Sequence, residues 1–390
     1  MIPTPQSRSQ LDVPEAQQLI QADQAAASLD PKSASFLNPN SFLTWGPVIA
    51  RPHLATSFTY GNSLRSSSGQ NANTVIEQIS PGSLLQLGKK WTLDYTPTLS
   101  FYSSKDFKDT LGHNVALAGN TSYESWTFGL TQTYSLSAQP LIETGRQTEQ
   151  QVFATAISAS HYFNSSVMLE LGANQAIQDA EQFSSSRTWS TMNWLNFQIA
   201  PRLSIGAGLG GGYQSVSSSF DMSYEQFQVR VNSRIAQKLT LSINGGGEVR
   251  QILDAHADPL INPIYGMSVI YKPFEVTTLS LSGNRAISAS LIQSEISESA
   301  SVSAAINQRL LGAVFLTLSG TYSNTRFVQS NSSLALNRED DTVSFSADLS
   351  YAFTKRASGS IFYTHSDNSS SLAGFGFSSH QVGLSLAYRF

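Results

Sequence analysis

Charged side chains stand at alternate positions in two neighbouring stretches of a chain that is otherwise poor in charge. The first stretch carries Arg230 and Arg234 among amide residues, and the second carries Glu248 and Arg250. Alternate residues of a β-strand share one face, so two adjacent strands would bring these groups onto one surface. Opposed charges there form either a polar constriction or ion pairs that merely neutralise each other.

Three further charged residues stand at polar positions of other alternating stretches. Together with the first four they make up the predicted set of lining residues: Asp94, Glu170, Arg230, Arg234, Glu248, Arg250 and Asp348.

Motifs for covalent or metal chemistry are absent from the sequence. It contains no Gly-x-Ser-x-Gly elbow, no His-Glu-x-x-His and no P-loop, and its six histidines are dispersed. The acidic stretches 254–258 and 339–341 lack the spacing of a calcium loop, so we interpret them as solvated loops. Without cysteine, thiolate sites and disulfides are excluded. We therefore expect neither an enzyme, nor a cofactor, nor a resident metal.

The elements that would position the lining residues are strands with strict alternation. Val343, Phe345 and Leu349 alternate with serines and Asp348, and the last ten residues alternate in the same way up to Phe390. One face is apolar, with aromatics towards its ends, and the other face is small and polar. This pattern is typical of transmembrane β-barrel strands.

Connections between these stretches alternate between short and long. Short ones include 87–89, 200–202 and 354–356, whereas longer ones include 138–149, 179–188 and 367–377. Short periplasmic turns and long extracellular loops are expected of an outer-membrane barrel. The first strand and the last both meet the short-turn end, so we expect an even number of strands, about 18, and both termini in the periplasm.

Composition supports this fold class over its alternatives. Only 13% of residues are charged and 40% are hydrophobic, and no run of about 20 apolar residues is present to form a membrane helix. A soluble β-sandwich would expose Lys and Glu on its polar face, and a β-solenoid would show a fixed repeat length. The net charge of −4 disfavours a nucleic-acid partner.

The predicted organisation is an N-terminal periplasmic segment, residues 1–47, followed by the barrel, residues 48–390. Pro14 lies in the first turn of a predicted short helix that ends before Asp30-Pro31. We interpret this segment as a loosely docked tail, with a plug or a partner-binding helix as the alternative.

Part of the later sequence resembles a known family. The stretches 307–311, 316–322 and 200–208, together with the ending near Phe390, are similar to the "beta-barrel porin 2" family of Gram-negative bacteria. The resemblance covers most of residues 50–390. It implies an outer-membrane barrel, linked in that family to exopolysaccharide secretion.

The expected function follows from the polar inner face. Barrels of about 16 to 18 strands are too wide to be filled by side chains, so they hold water. A lining of hydroxyls, amides and glycine suits neutral, hydroxylated solutes, so we expect a passive outer-membrane channel for hydrophilic solutes, with saccharides or an exported exopolysaccharide preferred. The alternatives are a sheath around a periplasmic partner such as an electron carrier, or a scaffold for surface proteins. Outer-membrane lipid and lipopolysaccharide would surround the barrel.

Overall fold

A computed structural model of the chain describes residues 43–67, 70–217, 220–253, 259–290, 295–329 and 338–390. The predicted N-terminal helix and the acidic stretch 254–258 lie outside these residues. Within them, no helix is long and apolar enough to cross a membrane.

The described residues form β-strands joined by turns and loops. In chain order the strands are β1 (Leu43–Trp45), β2 (Val48–Ser67), β3 (Gln70–Leu87), β4 (Trp91–Tyr102), β5 (Thr110–Tyr123), β6 (Trp126–Leu141), β7 (Arg146–Tyr162), β8 (Val167–Ala180), β9 (Ser186–Ala200), β10 (Leu203–Val216), β11 (Met222–Ala236), β12 (Leu239–Ile252), β13 (Leu260–Phe274), β14 (Thr277–Ala289), β15 (Glu295–Arg309), β16 (Val314–Gln329), β17 (Arg338–Ala352), β18 (Ala357–Ser370) and β19 (Phe377–Arg389).

Strands β2 to β19 close into a ring of 18. Each pairs antiparallel with the next along the chain. The last strand then pairs with the first, from His380 opposite Asn62 to Arg389 opposite His53. Closure gives every strand of the ring a paired neighbour on both sides, so no sheet edge is left open, as a sheet inside a membrane requires. The predicted closed antiparallel barrel is therefore confirmed.

The short strand β1 extends the same edge of β2 beyond the end of β19. Leu43 lies opposite Ala50 and Trp45 opposite Val48, while the Phe390 amide donates to the Pro52 carbonyl at 3.1 Å. The division of the chain at residue 47 stays a prediction.

The two faces of the wall differ in chemistry as the alternation predicts. On β19, the apolar side chains of Leu384 and Leu386 are 54% and 56% exposed on the outside of the barrel. Between them, Ser385 faces the lumen and is half-buried. An apolar outer band with a polar interior is the arrangement that a lipid bilayer stabilises.

The two ends of the barrel also differ. At one end the strands are joined by short turns such as 201–202 and 237–238, and the other end carries longer connections such as 103–109 and 371–376. Strand pairing continues further into the predicted loops 138–149 and 179–188 than the sequence indicates: β6 runs to Leu141 and β7 starts at Arg146. Pairing with a partner strand satisfies the backbone even where apolar and polar residues do not alternate. The acidic stretch 339–341, interpreted from the sequence as a solvated loop, instead lies within β17, and Asp340 is only 2% exposed because it pairs with Arg338.

Candidate functional site

The lumen wall is lined by cross-strand pairs of small polar side chains. Hydroxyl pairs join neighbouring strands at 2.9 Å or less, namely Ser80–Thr98, Ser303–Thr321, Ser319–Ser346 and Ser360–Ser385. Amides extend the pattern, since the Asn244 amide donates to Gln228 at 2.8 Å. These groups satisfy one another while remaining beside the lumen, so the interior surface is polar and of low charge density.

Two of the predicted lining residues meet as an ion pair across four strands. Arg230 on β11 donates to the Glu170 carboxylate on β8 at 2.5 Å. The Arg230 side chain also passes Asn196 on β9, and its Nε and Nη2 donate to the Asn196 side-chain carbonyl at 2.9 and 2.7 Å. The Arg230 and Glu170 side chains are 20% and 21% exposed, so the pair borders the lumen without being sealed from it.

Trp194, which was not among the predicted lining residues, packs against the ion pair of Arg230 and Glu170. The guanidinium carbon of Arg230 lies 4.3 Å from the centre of the Trp194 ring. Neighbouring β10 leaves room for both side chains because it presents glycine to the lumen. A Cβ at Gly206 would lie 2.5 Å from the Asn196 Oδ1, and one at Gly208 would lie 2.7 Å from the indole.

The same strand continues this glycine stripe towards the loop end. A Cβ at Gly210 would lie 2.6 Å from the Met192 sulfur, and one at Gly212 would lie 2.5 Å from the Tyr224 ring. The lumen-facing glycines of β10 thus make space for large side chains from β9 and β11. Their spacing of two residues was the available signal.

The second predicted pair, Glu248 and Arg250, is sealed inside the protein. Both side chains are only 2% exposed and lie 2.7 Å apart. Gln226 donates to Glu248 at 2.7 Å, and Arg250 donates to the Ile287 carbonyl at 3.2 Å. Ile287 lies near the loop end of β14. The pair therefore stabilises the position of that end of β14 and does not line the path of a solute.

The loop end of β14, residues 285–289, bends towards β10, β11 and β12. Pairing of β13 with β14 ends at Tyr265 opposite Arg285, whereas β14 and β15 remain paired as far as Ala289. In the segment where β14 has lost its pairing with β13, Ile287 packs with Ile296, Val216 and Met222 in a small buried apolar cluster.

The other predicted lining residues lie apart from these clusters. Asp94 accepts a hydrogen bond from the Thr96 hydroxyl at 2.9 Å, and Asp348 is half-buried on the lumen face of β17, opposite Thr317. Arg234 is exposed beside the short turn 237–238. That any of the seven residues selects solutes stays a prediction.

A hairpin crosses the lumen at the loop end. Residues 138–149, which we call the crossing hairpin, continue β6 and β7 beyond their last pairs with β5 and β8. Gln147 binds the Lys108 backbone through both of its amide atoms, at 2.9 and 3.0 Å. The tip reaches the far side of the ring, where Ser290 donates to Glu143 at 2.7 Å.

Arg338 on β17 binds the tip of the crossing hairpin. Its guanidinium donates to the carbonyls of Glu143 and Ile142 at 2.9 and 3.3 Å. Asp340 accepts two further hydrogen bonds from it, one at 3.0 Å. The group lies 4.6 and 3.7 Å from the ring centres of Phe327 and Phe375, and Arg338 is 2% exposed.

A second arginine supports the same junction. Arg65 on β2 is 4% exposed and donates to the carbonyls of Gly376, at 3.3 Å, and Gly374. The loop end is thus held by buried, charge-assisted hydrogen bonds, which are stronger than neutral ones. Among the described residues, no group of three or more acidic or histidine side chains could hold a metal ion.

Solved structures of similar architecture are found at low sequence identity. OccK2 (OpdF) of Pseudomonas aeruginosa, in complex with glucuronate, is 13% identical, with a TM-score of 0.47, over 87% of this chain and 98% of that one. OccAB4 of Acinetobacter baumannii is 12% identical, with a TM-score of 0.46, over 90% of this chain and all of that one. No match is found among curated proteins.

The family comparison concerns the second half of the barrel. Residues 223–390 match the model described as "Putative beta-barrel porin 2". This range spans nearly all of strands β11 to β19. Over these residues the chain resembles the beta-barrel porin 2 family, as its sequence predicts, and the fold of the described residues is a closed 18-stranded antiparallel barrel.

Proposed function

We propose that this barrel gives passive passage across the outer membrane to small, neutral, hydrophilic solutes, with saccharides as the preferred class. The observation that carries the proposal is the lumen wall. Hydroxyl and amide pairs line it, and Arg230 and Glu170 compensate each other's charge. A wall without a dense field of one sign offers hydrogen bonds to hydroxylated solutes and little attraction to ions.

The crossing hairpin limits the size of the solute that can pass. Its tip binds Arg338 and Ser290 on the far side of the ring, so it occupies part of the loop end. An exported exopolysaccharide is therefore the second candidate, and its passage requires this hairpin to move. A sheath around a periplasmic partner is less favoured because the hairpin takes up space that the partner would need.

The orientation in the membrane belongs to the same proposal. The short turns and the ends of β2 and β19 would face the periplasm, and the crossing hairpin would face the exterior. Lipopolysaccharide and outer-membrane lipid would contact the apolar outer band.

Single-channel recording tests this function. The refolded protein, with its fold checked by a heat-dependent shift on a denaturing gel, is added to a planar bilayer in KCl. We expect discrete conductance steps, weak ion selectivity and concentration-dependent block by neutral oligosaccharides. A folded barrel that gives no conductance would overturn the proposal.

A further inference from the structure

Polar side chains form a stripe across the outer face of four consecutive strands, β6 to β9. Gln132, Thr155 and Gln175 lie directly opposite one another on β6, β7 and β8. Thr191 and Asn193 continue the row on β9. We call these five residues the polar stripe.

The polar stripe faces away from the lumen. Asn193 lies opposite Leu171 on one side and Leu209 on the other, and these two leucines are 38% and 66% exposed on the outside of the barrel. Gln175 lies opposite Trp189, which is 41% exposed there. Because residues directly opposite each other in a sheet share one face, the stripe lies on the surface that meets lipid.

The polar stripe is also inside the apolar band and not at its margin. On β7, Thr155 lies between the outward-facing Phe153 and Ile157, and Ile157 is 54% exposed. On β6, Gln132 follows Leu130 on the same face. Comparable outward positions on other strands carry apolar side chains, for example Ile243 on β12, Val302 on β15, Leu349 on β17 and Leu384 on β19.

Most of the polar stripe lacks hydrogen-bond partners. Among the residues that the structure describes, the side chains of Gln132, Thr155 and Gln175 bond to no other group. The Asn193 amide donates to the Thr191 hydroxyl at 3.1 Å, and that hydroxyl donates to a backbone carbonyl of β8 at 2.8 Å. Neighbouring amides cannot satisfy one another fully, because each has two donor hydrogens and two acceptor lone pairs. Polar groups without a partner are costly in hydrocarbon, so a polar partner matches this surface better than acyl chains do.

A second copy of this chain matches the polar stripe. Each amide carries both donors and an acceptor, so the stripe is complementary to itself when a second copy is related to it by a two-fold axis. Ala173 and Ala207, beside the stripe, are exposed, and such small side chains let two backbones approach closely. Leu209, which is 66% exposed, supplies apolar contact at the rim.

We infer that this chain associates as a two-fold dimer in the membrane through the polar stripe. The amides of one copy donate to the amide and hydroxyl oxygens of the other, and the small and apolar residues beside them complete the interface. This inference rests on the membrane location in the proposed function, but it does not depend on the solute or on conductance.

Cysteine cross-linking in membranes tests the inference, because the chain has no native cysteine. The protein is refolded into phosphatidylcholine vesicles and treated with a short bismaleimide. Ala173→Cys lies within the stripe, opposite Thr191, and should give a covalent dimer. Ala304→Cys is the matched control, since Ala304 is also exposed on the outer face, but on β15 at the far side of the ring. We expect Ala304→Cys to stay monomeric.

A triple variant separates the polar stripe from the surface around it. Gln132→Leu/Gln175→Leu/Asn193→Leu removes the amides and introduces side chains that suit lipid, so the barrel should fold. In the Ala173→Cys background, cross-linking is followed as the protein is diluted with lipid. We expect the triple variant to need at least about tenfold more protein per lipid for half-maximal cross-linking, which corresponds to 1.4 kcal/mol. Thr56→Leu is its control, because Thr56 faces outward on β2 and already donates to a backbone carbonyl at 3.0 Å. It should leave cross-linking unchanged.

Several results would overturn the inference. They are the absence of a dimer with Ala173→Cys, equal cross-linking of Ala304→Cys, and a triple variant that cross-links as readily as the unchanged stripe. In isolated outer membranes, a product of Ala173→Cys other than two copies would also overturn it, since the occupant would then be another protein. A folded barrel that does not conduct would overturn the proposed function alone, because cross-linking does not require an open channel.

Discussion

Removing the contact between Arg338 and the crossing hairpin should open the loop end of the barrel. The double variant Arg338→Leu/Asp340→Leu replaces a buried ion pair with apolar side chains beside Phe327 and Phe375. Replacing both members of a buried pair is often neutral or stabilising for the fold, whereas removing one leaves an uncompensated charge. The wall should therefore persist while the hairpin loses its attachment.

The size of the effect follows from the hydrogen bonds lost. Arg338 donates two to the hairpin, at the carbonyls of Glu143 and Ile142. A hydrogen bond from a charged group contributes about 1.5–3 kcal/mol, so the two together stabilise the crossed position by about 3–6 kcal/mol. At a factor of ten per 1.4 kcal/mol, the ratio of crossed to displaced hairpin falls by about 10² to 10⁴.

Single-channel conductance in planar bilayers measures this shift, and we expect larger or more frequent high-conductance states. Arg326→Gln/Glu339→Gln is the matched control, because that ion pair joins β16 to β17 on the outside, with side chains 55% and 44% exposed. A second readout uses the absence of native cysteine. Thr144→Cys, at a position 6% exposed, should react with a maleimide only when the double variant is also present.

An unchanged conductance together with an unreactive Thr144→Cys would refute the reasoning. In that case the remaining contacts, such as Gln147 with Lys108, would suffice to hold the crossing hairpin.

Three further perturbations have expected outcomes. Arg230→Gln should make the channel more selective for cations because Glu170 loses its counter-charge, and Glu170→Gln should shift selectivity towards anions; the reversal potential in a KCl gradient measures both. Leu384→Arg should destabilise the barrel by about 2–4 kcal/mol, as a lipid-facing arginine does near the bilayer midplane, measured by urea unfolding in vesicles. A hydrogen bond from Tyr213 lowers the pKa of Asp221, with smaller contributions from Ser215 and the Val216 amide. Tyr213→Phe should therefore lower stability at neutral pH.

The sign of the Asp221 effect follows from linkage. A carboxyl whose pKa is depressed in the folded state contributes stability above its unfolded pKa, and this contribution is lost as the pH falls through the folded value. The difference between Tyr213→Phe and the unchanged protein should thus disappear in acid, below the ordinary range of an aspartate. An equal difference at all pH values would contradict this assignment.

The selectivity prediction and the Leu384→Arg prediction each have a control variant in the barrel wall. Arg230→Gln combined with Glu170→Gln should restore the original selectivity, because both charges are then absent. Gln381→Arg, on the lumen face of β19, should destabilise less than Leu384→Arg. Equal losses would mean that the two faces do not differ in their contact with lipid.

Much of the barrel was predictable because it is built on a local rule. Alternation of apolar and polar residues, as in β17 and β19, assigns a strand and its two faces from the sequence alone. The positions of the short turns follow for the same reason. Trp194 marks the limit of this rule. It lies five residues after Trp189 on β9, so alternation places the two rings on opposite faces, as observed. What the rule does not predict is a large apolar ring on the polar lumen face.

The two arginine–glutamate pairs show the same limit. Arg230 and Arg250 both occupy the polar face of adjacent strands, and the sequence gives no reason to separate them. In the structure Arg230 is 20% exposed and Arg250 only 2%. The difference arises because the loop end of β14 covers Arg250, which donates a hydrogen bond to the carbonyl of Ile287, 37 positions away.

From the sequence alone follow the strand pattern, the outward apolar band, the polar lumen and the resemblance to a porin family, since each depends on neighbouring residues. Only the tertiary structure decided where the crossing hairpin lies and which side chains meet across the wall. Residues 138–149 show no alternation of apolar and polar side chains, so no local pattern directs them inward. Their position depends on partners such as Arg338, 195 residues from Glu143, which only closure of the ring brings within reach.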